Sequence, residues 1–413
     1  MIHLILLTDF TETYATELLR GILDYSQGHE PWVVSRMPTS YRVEHGVDGV
    51  VEWAKQWKAD AIIGQFDTHD DVDAFARNGI IAVAQDFMQR FDSIPNITGD
   101  YLAQGMHAAD YFINKGFRNF AFYGYANAVW SKERCQGFAE QLMSHGHKPP
   151  YIYEKQSLEN LWFYDPESLA DWLRSLPHST AILACDDTRA NVILEVCRMI
   201  GIKVPSDIAV LGVDNDEITC TLTYPNLSSV CLDVRSAGYK TAQRIKQVLN
   251  GGQHRDGDIM VDYIGIMERQ STDILMTANK HILAVLSYIH QHYADKLTVE
   301  QLLKLVPMSR RLLEKTFKME TGTSIHQYIM DLRLERMKQL LMSTDMPITD
   351  LALATGLSDA KNVARLFNQR EGITPLGYRQ LHGGYKKKTL IRYADRQASW
   401  MFYQKKPWLS RAY

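Results

Sequence analysis

The sequence predicts an α/β domain built on parallel sheets, followed by an all-α domain that holds two helix-turn-helix units. Three observations predict this. Residues 1–272 alternate short, almost wholly apolar runs with amphipathic stretches of helical period, and such strands separated by helices mean parallel sheets covered on both faces. From Ile282 onward the period is helical. The charge is also segregated: residues 277–413 hold 22 Lys+Arg against 11 Asp+Glu, and residues 1–276 hold 23 against 37. A net charge of −3 therefore hides a part near −14 joined to one near +11. A chain of 413 residues also exceeds one ordinary core.

Taken in order, the strand candidates are 2–7, 32–34, 61–63, 80–83, 120–123, 181–184, 208–213 and 259–266. The helix candidates between them are 14–26, 47–57, 72–78, 104–115, 131–144, 166–176, 188–200 and 236–249. This domain is expected to span 1–272, with a linker over 273–280, an all-α domain over 281–380 and a tail over 381–413.

Parallel sheets bind ligands outside the carboxyl ends of their strands, so the polar residues there are the ones to inspect. Thr8-Asp9, Gln85-Asp86, Asp186-Asp187 and Asp214-Asn215-Asp216 each follow a strand candidate. Carboxylates so placed accept hydrogen bonds from hydroxyls, the chemistry a polyol or sugar requires. Trp130 and Trp162 are expected in nearby loops, where they would stack on an apolar sugar face. Arg134, at the start of the helix that follows, would donate to ring or hydroxyl oxygens. The plain alternative for each Asp is helix capping. It is the better reading for Asp187, which a clean helix follows.

In the second part Leu302, Leu303 and Val306 form an apolar face, Pro307-Met308 a turn, and Ser309 opens a short helix. That helix is expected to carry Arg310, Arg311, Glu314 and Lys315 outside and Leu312, Leu313 and Phe317 inside. About fifty residues on the design recurs, with Ile348, Leu351 and Ala352, a turn at Gly356, and a helix begun by Ser358. Lys361, Asn362 and Arg365 fall on its outer face, Val363, Leu366 and Phe367 on its inner one. A helix after a small-residue turn, basic and amide-bearing on its exposed face, fits the major groove of double-stranded DNA. Arg311, Glu314 and Lys315 would read one groove segment and Lys361, Asn362 and Arg365 the next; phosphate contact or a solvated face is the alternative for any one of them. Thr298 with Gln301 makes a capping box. The run from Ile325 to Leu341 reads as a long helix fixing the separation of the two units. The tail interleaves Lys386-Lys387-Lys388 and other bases with Trp400, Phe402, Tyr403 and Trp408. Contact with phosphates, docking on the protein and a disordered end stay open for it.

Five widely spaced cysteines without a CxxC pair read as small buried hydrophobes of a reducing compartment, and no metal site or cofactor is expected. The start lacks a basic region and a cleavage site, so a cytoplasmic protein with no membrane partner is expected. An enzyme using Asp186 and Asp214 as acid and base is the rival class. No His pairs with a nucleophile, however, and neither a Gly-rich phosphate loop nor HExxH occurs. A free sugar-binding protein for transport is a third reading, disfavoured by the basic domain.

The stretch with Gly322, Asp331-Leu-Arg-Leu-Glu-Arg336, residues 348–356, Gly372-Ile-Thr-Pro375 and Tyr378-Arg379 resembles the DNA-binding domain of AraC-type transcription regulators. Leu357 departs from that family, which commonly has Phe there, and Asn362-Val363-Ala364 lacks an often-seen aromatic. Residues 1–272 resemble the effector domain of LacI-type repressors, itself similar to periplasmic sugar-binding proteins. The marks are Ser131-Lys-Glu-Arg134, Gly137-Phe138, Asp187-Thr-Arg-Ala190, Val204-Pro205-Ser206-Asp207-Ile208, Gly212-Val213-Asp214 and Glu268-Arg269-Gln-Ser-Thr272. The order of the two domains is similar to that of xylose-operon activators. The resemblance implies a two-lobed, periplasmic-binding-protein-like domain hinged by crossings near 96–99, 229–230 and 258–260. It makes Arg134, Asp214, Asp186, Asp86 and Trp162 the leading sugar contacts, followed by Asp9 and Tyr14, with Asp186 where many relatives have Asn. The expected function is a sugar-responsive regulator, an activator of a carbohydrate-utilisation operon with a pentose such as xylose favoured. It would act as a homodimer on operator DNA, with RNA polymerase a further candidate partner.

Overall fold

The computed structural model describes residues 1–8, 13–27, 29–155, 165–252, 257–274, 279–357 and 360–382, and the chain divides into two compact units at about residue 276. The first unit opens with β1 (Ile2–Leu7), α1 (Thr13–Gln27), β2 (Trp32–Met37), α2 (Thr39–Gln56), β3 (Ala61–Gly64), α3 (Asp73–Arg77), β4 (Ile81–Gln85) and β5 (Asn96–Gly99). It continues through α4 (Tyr101–Asn114), β6 (Asn119–Tyr125), α5 (Val129–Ser144), β7 (Tyr151–Lys155), α6 (Pro166–Ser175), β8 (Thr180–Ala184), α7 (Asp187–Ile200), β9 (Ile208–Val213), α8 (Glu217–Leu222) and β10 (Ser228–Leu232). The helix α9 (Val234–Leu249), the strands β11 (Ile259–Val261) and β12 (Tyr263–Met267), and a 3-10 turn at Gln270–Thr272 complete it.

These strands form two six-stranded sheets, ordered β11-β5-β4-β3-β1-β2 and β12-β10-β9-β8-β6-β7. Each sheet is the floor of one lobe. The first is parallel throughout. The second departs from the expected all-parallel pattern at one edge, where β12 runs antiparallel to β10. The single strand predicted over 259–266 is in fact two, split at Asp262, with β11 in one sheet and β12 in the other. The chain passes between sheets after Gly99, after Leu232 and at Asp262. The predicted hinge positions lie inside β5, β10 and β11, and each crossing comes a few residues later.

Burial explains why the strands read as unbroken apolar runs. In β1, Leu4 and Leu6 enter a cluster with Leu18 and Ile22 of α1 and Ile245 of α9. Ile5 and Leu7, on the opposite face, join Val47, Val50 and Val51 of α2. Both faces are covered, so apart from partly exposed His3 every residue of β1 is apolar. The edge strand β7 escaped prediction because Tyr151 and Ile152 are about half exposed, which leaves it with little apolar signal.

Two helix pairs pack at backbone distance. A Cβ on Gly105 of α4 would lie 2.2 Å from the Arg134 carbonyl oxygen, and one on Gly137 of α5 would lie 2.0 Å from that of Leu102. Gly21 and Gly238 repeat the arrangement between α1 and α9. Only glycine permits such an approach.

The second unit is helical: α10 (Lys280–His292), α11 (Val299–Leu303), α12 (Arg310–Thr321), α13 (Ile325–Ser343), α14 (Ile348–Ala354), α15 (Ala360–Glu371) and α16 (Pro375–His382). The pairs α11–α12 and α14–α15 are the two helix-turn-helix units. Thr298 and Gln301 form the expected capping box on α11, and Ser309 caps α12 by accepting from the Leu312 amide. Leu313 and Phe317 are buried, whereas Leu312, predicted to face inward, is 49 % exposed. It stands one residue, about 100° of helix, from Leu313. The long helix α13 bridges the units. Its Leu334, Met337 and Leu341 pack with Leu351, Val363 and Phe367, and its Arg333 donates to the carbonyls of Tyr293 and Asp295 just after α10, each at 2.7 Å. Arg370–Asp331 and Lys338–Glu371 ion pairs tie α15 to the same helix. Residues 383–413, and with them nearly all of the tail, lie outside the described residues.

Gly137→Ala should lower the stability of the protein by about 1–3 kcal/mol, because the new methyl meets an unyielding carbonyl. A urea denaturation midpoint equal to that of the parent would refute the close-packing account.

Candidate ligand cleft and nucleic-acid interface

The acids that follow strands separate into two groups. Asp100, Asp186, Asp216 and Asp233 each cap the helix behind them, accepting from Ala103, Arg189, Thr219 and Ser236 respectively. The expectation that Asp187 is the cap is thereby corrected: Asp186 caps α7. Asp187 turns into the protein, where it accepts from Ser229 Oγ at 2.6 Å and from the Asp216 amide at 2.7 Å. Asp86 and Asp214 cap no helix among the described residues.

Both sit at strand ends facing the space between the lobes. Asp86, directly after β4, is buried. Its Oδ2 accepts from Thr98 Oγ1 at 2.6 Å and from Arg90 Nε at 3.1 Å, and its Oδ1 is buried with no partner. Burial raises its pKa to about 6 against the lowering by Thr98 and Arg90. Asp214 follows β9 with φ of 99°, and Asn215 follows it at 52°, a left-handed backbone that L residues adopt at a cost. The Asn215 amide donates to Ser229 Oγ at 2.9 Å, and Arg269 holds the Asn215 side chain at 2.8 Å. The Asp187–Ser229 clip therefore fixes the turn that presents Asp214. Burial raises the Asp214 pKa, and the Arg134 charge opposes that rise.

Arg134 lies on α5, in the opposite lobe from Asp86. It is buried, donates from Nε to Gln104 Oε1 at 2.9 Å and from Nη1 to the Cys185 carbonyl at 2.7 Å. Its guanidinium carbon sits 5.1 Å from the centre of the Tyr101 ring and 5.5 Å from that of Trp130. Trp130 is not in a loop, as predicted, but in the first turn of α5. There it packs edge-on to Tyr125, the last residue of β6. Beneath Asp186, Arg189 stacks on the Tyr125 ring and its guanidinium reaches the Tyr125 hydroxyl. Burial lifts the Asp186 pKa to about 6, with Asp214 adding to the rise.

Tyr14, at the start of α1, completes the group. Its hydroxyl is buried without a partner, and Tyr101, Asp86, Asp214 and Arg134 all act on it electrostatically. Gln104 Nε2 is likewise buried and unpartnered. Among the residues singled out from the sequence, the structure brings together Tyr14, Asp86, Trp130, Arg134, Asp186 and Asp214. Asp9 and Trp162 lie outside the described residues. Sequence reasoning missed Tyr101, Gln104 and Arg189. These sit inside helices, where only the partners they meet mark them out.

What this arrangement can do chemically is hold a polar ligand. Buried donors and acceptors left unpaired cost about 1–3 kcal/mol each, and here Asp86 Oδ1, Gln104 Nε2 and the Tyr14 hydroxyl are three such atoms. Among the described residues no cluster of three or more His, Cys, Asp or Glu could hold a metal ion, and the five cysteines are free and buried.

In the second unit the outer face of α12 is as expected. Ser309, Arg310, Arg311, Glu314 and Lys315 are exposed, with Arg310 held between Glu300 and Glu314, each at 3.0 Å. Among the described residues, Arg311 and Lys315 are not drawn into an ion pair as Arg310 is. On α15 Arg365 is exposed. Ser358 and the side chains of Lys361 and Asn362 lie outside the described residues.

Comparison with known proteins matches both halves. Residues 109–272 fit the periplasmic binding protein-like domain model and residues 302–381 a helix-turn-helix domain model. The xylose operon regulatory protein of Haemophilus influenzae is 30 % identical over 382 residues, 91 % of this chain and 97 % of that one. Its counterpart in Escherichia coli K12 is 28 % identical over 91 % and 96 %. The solved structure of the xylose-binding transcription activator XylR aligns with a TM-score of 0.55 and 28 % identity, covering 92 % of this chain and 98 % of that one. Fold and site define an AraC-type transcription regulator whose effector half is periplasmic-binding-protein-like. It is a sugar-responsive, DNA-binding regulator rather than an enzyme. Within that class, the chain belongs to the family of xylose operon regulatory proteins.

The elevated pKa of Asp186 has a measurable consequence. Because the folded value, about 6, exceeds that of a free carboxylate, folding penalises the ionised form. The penalty is full above about pH 6 and gone below the ordinary carboxylate range. Asn preserves the cap and removes the charge. Asp186→Asn should therefore stabilise the sugar-free protein by about 1–3 kcal/mol at about pH 7.5 and hardly at all near pH 4. Urea denaturation at the two pH values checks this, and a less stable variant at the higher pH would count against it.

Proposed function

We propose that the cleft binds a pentose, with D-xylose the first candidate, and that binding alters how a homodimer grips operator DNA to activate a carbohydrate-utilisation operon in the cytoplasm. The observation that carries the sugar reading is the set of unpartnered polar atoms, Asp86 Oδ1, Gln104 Nε2 and the Tyr14 hydroxyl, with Gln104 bound to Arg134 and Tyr14 under the influence of both Asp86 and Arg134. Carboxylates and a fixed guanidinium match the donors and acceptors of neighbouring hydroxyls, and Trp130 gives an aromatic surface for a sugar face. The choice of xylose rests on the names of the relatives. Asp9 and Trp162 belong to the proposed contact set through the family resemblance. No helix among the described residues is long and apolar enough to cross a membrane.

The mechanism follows from population shift. A sugar that binds the closed cleft more tightly than the open one moves the equilibrium toward closure by that difference in affinity. On the DNA side, Arg311, Glu314 and Lys315 would meet one major-groove segment and Lys361, Asn362 and Arg365 the next, helped by Ser309, Arg310 and Ser358 at the helix starts. Arginine pairs with guanine and Asn362 with adenine in this reading, each worth about 1–3 kcal/mol of discrimination. RNA polymerase is the proposed further partner.

A thermal-shift panel of monosaccharides tests the ligand. D-xylose at about 100 times its Kd should add about 2.7 kcal/mol to the apparent stability, and Arg134→Ala should abolish the shift. A parent protein indifferent to every pentose would remove this reading. For DNA, Arg311→Ala and Arg365→Ala should each relax sequence preference in footprinting. Unchanged protection and preference in both would displace the base-reading assignment.

A further inference from the structure

Arg90 belongs to one lobe, in the segment between β4 and β5, yet it is shared with the other. Its Nε donates to Asp86 Oδ2 at 3.1 Å and to Thr98 Oγ1 at 2.9 Å, both in its own lobe. Its Nη1 and Nη2 donate to Glu133 Oε1 and Oε2 at 2.7 and 2.8 Å. Glu133 lies on α5, in the opposite lobe, immediately before Arg134. One guanidinium therefore holds the carboxylate of one lobe's proposed ligand contact and, through a two-pronged bridge, the neighbour of the other lobe's. The Tyr101 ring, 5.6 Å from the Arg90 guanidinium and 5.1 Å from that of Arg134, lies close to both cations. Two other hydrogen bonds also join the lobes: the Val129 amide donates to the Phe87 carbonyl at 2.8 Å, and Thr13 of α1 donates to Asp216.

We infer that Arg90 is a positioning residue of the ligand site, one that orients Asp86 for the ligand while bridging the lobes through Glu133. The inference rests on the reading of the cleft as a sugar site. Its physical basis is the division of labour at Asp86. Arg90 and Thr98 occupy Oδ2, which leaves Oδ1 as the atom free to accept a ligand hydroxyl. The guanidinium that fixes this orientation is held from its far edge only while α5 stands opposite. When the lobes part, Arg90 loses both oxygens of Glu133, and the anchor that orients Asp86 is released at the same moment. Closure and presentation of the carboxylate are then one event. Lysine cannot substitute, since a point charge lacks the planar fork that spans two carboxylates.

The test uses the full-length protein with D-xylose as the probe. Spin labels on Glu52→Cys and Asp171→Cys, exposed residues in opposite lobes, report the distance between lobes without any sugar. Glu133→Gln should lengthen and broaden that distance distribution and weaken D-xylose binding in calorimetry about threefold, the scale of a part-exposed ion pair. Arg90→Met should weaken binding by at least about tenfold, because Asp86 then stays buried without its cation. Adding Glu133→Gln to Arg90→Met should cost nothing more, and Arg90→Lys should fail to rescue the lobe distance. A Glu133→Gln protein with the parent's distance distribution overturns the inference, as do losses that simply add in the double variant. If the parent ignores D-xylose while Glu133→Gln still lengthens the distance, the bridge stands and the xylose assignment falls. Glu133→Gln is an isosteric change on a partly exposed helix face, so the variant keeps its fold.

Discussion

A guanidinium withdrawn from water must have its charge answered and its donors filled, and the way Arg134 meets that demand organises the effector half. It donates to Gln104 on α4 and to the carbonyl at the end of β8, and it lies against the rings of Tyr101 and Trp130. In return its charge opposes the rise that burial imposes on the carboxyls of Asp186 and Asp214. Those acids come from two different strand ends. Without a central cation, gathering them in one low-dielectric space would cost several kcal/mol per ion. The Asp187–Ser229 clip and Arg269 hold the left-handed turn that brings Asp214 toward this charge.

Much of this was legible in the sequence, and the reasons are physical. Strands buried on both faces leave an apolar run that cannot be hidden, so β1, β3, β4, β8 and β9 were located within a residue or two. The positions of Asp86, Asp186 and Asp214 were legible because each closely follows an apolar strand, where parallel sheets place ligand chemistry. What the sequence could not separate was capping from binding. Asp186 and Asp187 are adjacent and chemically identical, and their roles are set by which one the backbone turns inward, toward Ser229 and the amide of Asp216. Arg90 and Glu133 were invisible for a similar reason: a charged residue on a helix or loop reads as solvated surface until its partner, 43 positions away, is known. Strands β5 and β10 were hidden by their polar residues, Asn96, Thr98, Ser228 and Ser229, and β7 by its half-exposed edge.

The helical half was legible for a different reason. A helix-turn-helix unit needs an inward face, a turn and an outward face within about twenty residues, and each is written in local spacing. Leu312 shows where that logic stops. Apolar identity alone does not place a side chain inside; its position on the helical wheel relative to Leu313 and Phe317 does. The turn at Gly356 shows the opposite case, in which a tertiary contact explains a local choice. A Cβ there would lie 2.6 Å from the Ala294 carbonyl oxygen, so the glycine serves the approach of the segment after α10 as well as its own positive φ.

The reciprocal glycines of α1 with α9 and of α4 with α5 bear on how the molecule responds to a signal. Helices packed main chain to main chain have no side-chain cushion along which to slide, so sliding within these two pairs is opposed. Any rearrangement driven from the cleft must then be taken up by rotation about the three strands of backbone that join the lobes. Such a mechanism has few internal modes in which to dissipate a small displacement. A ligand that closes the proposed cleft would then turn each lobe largely as one piece.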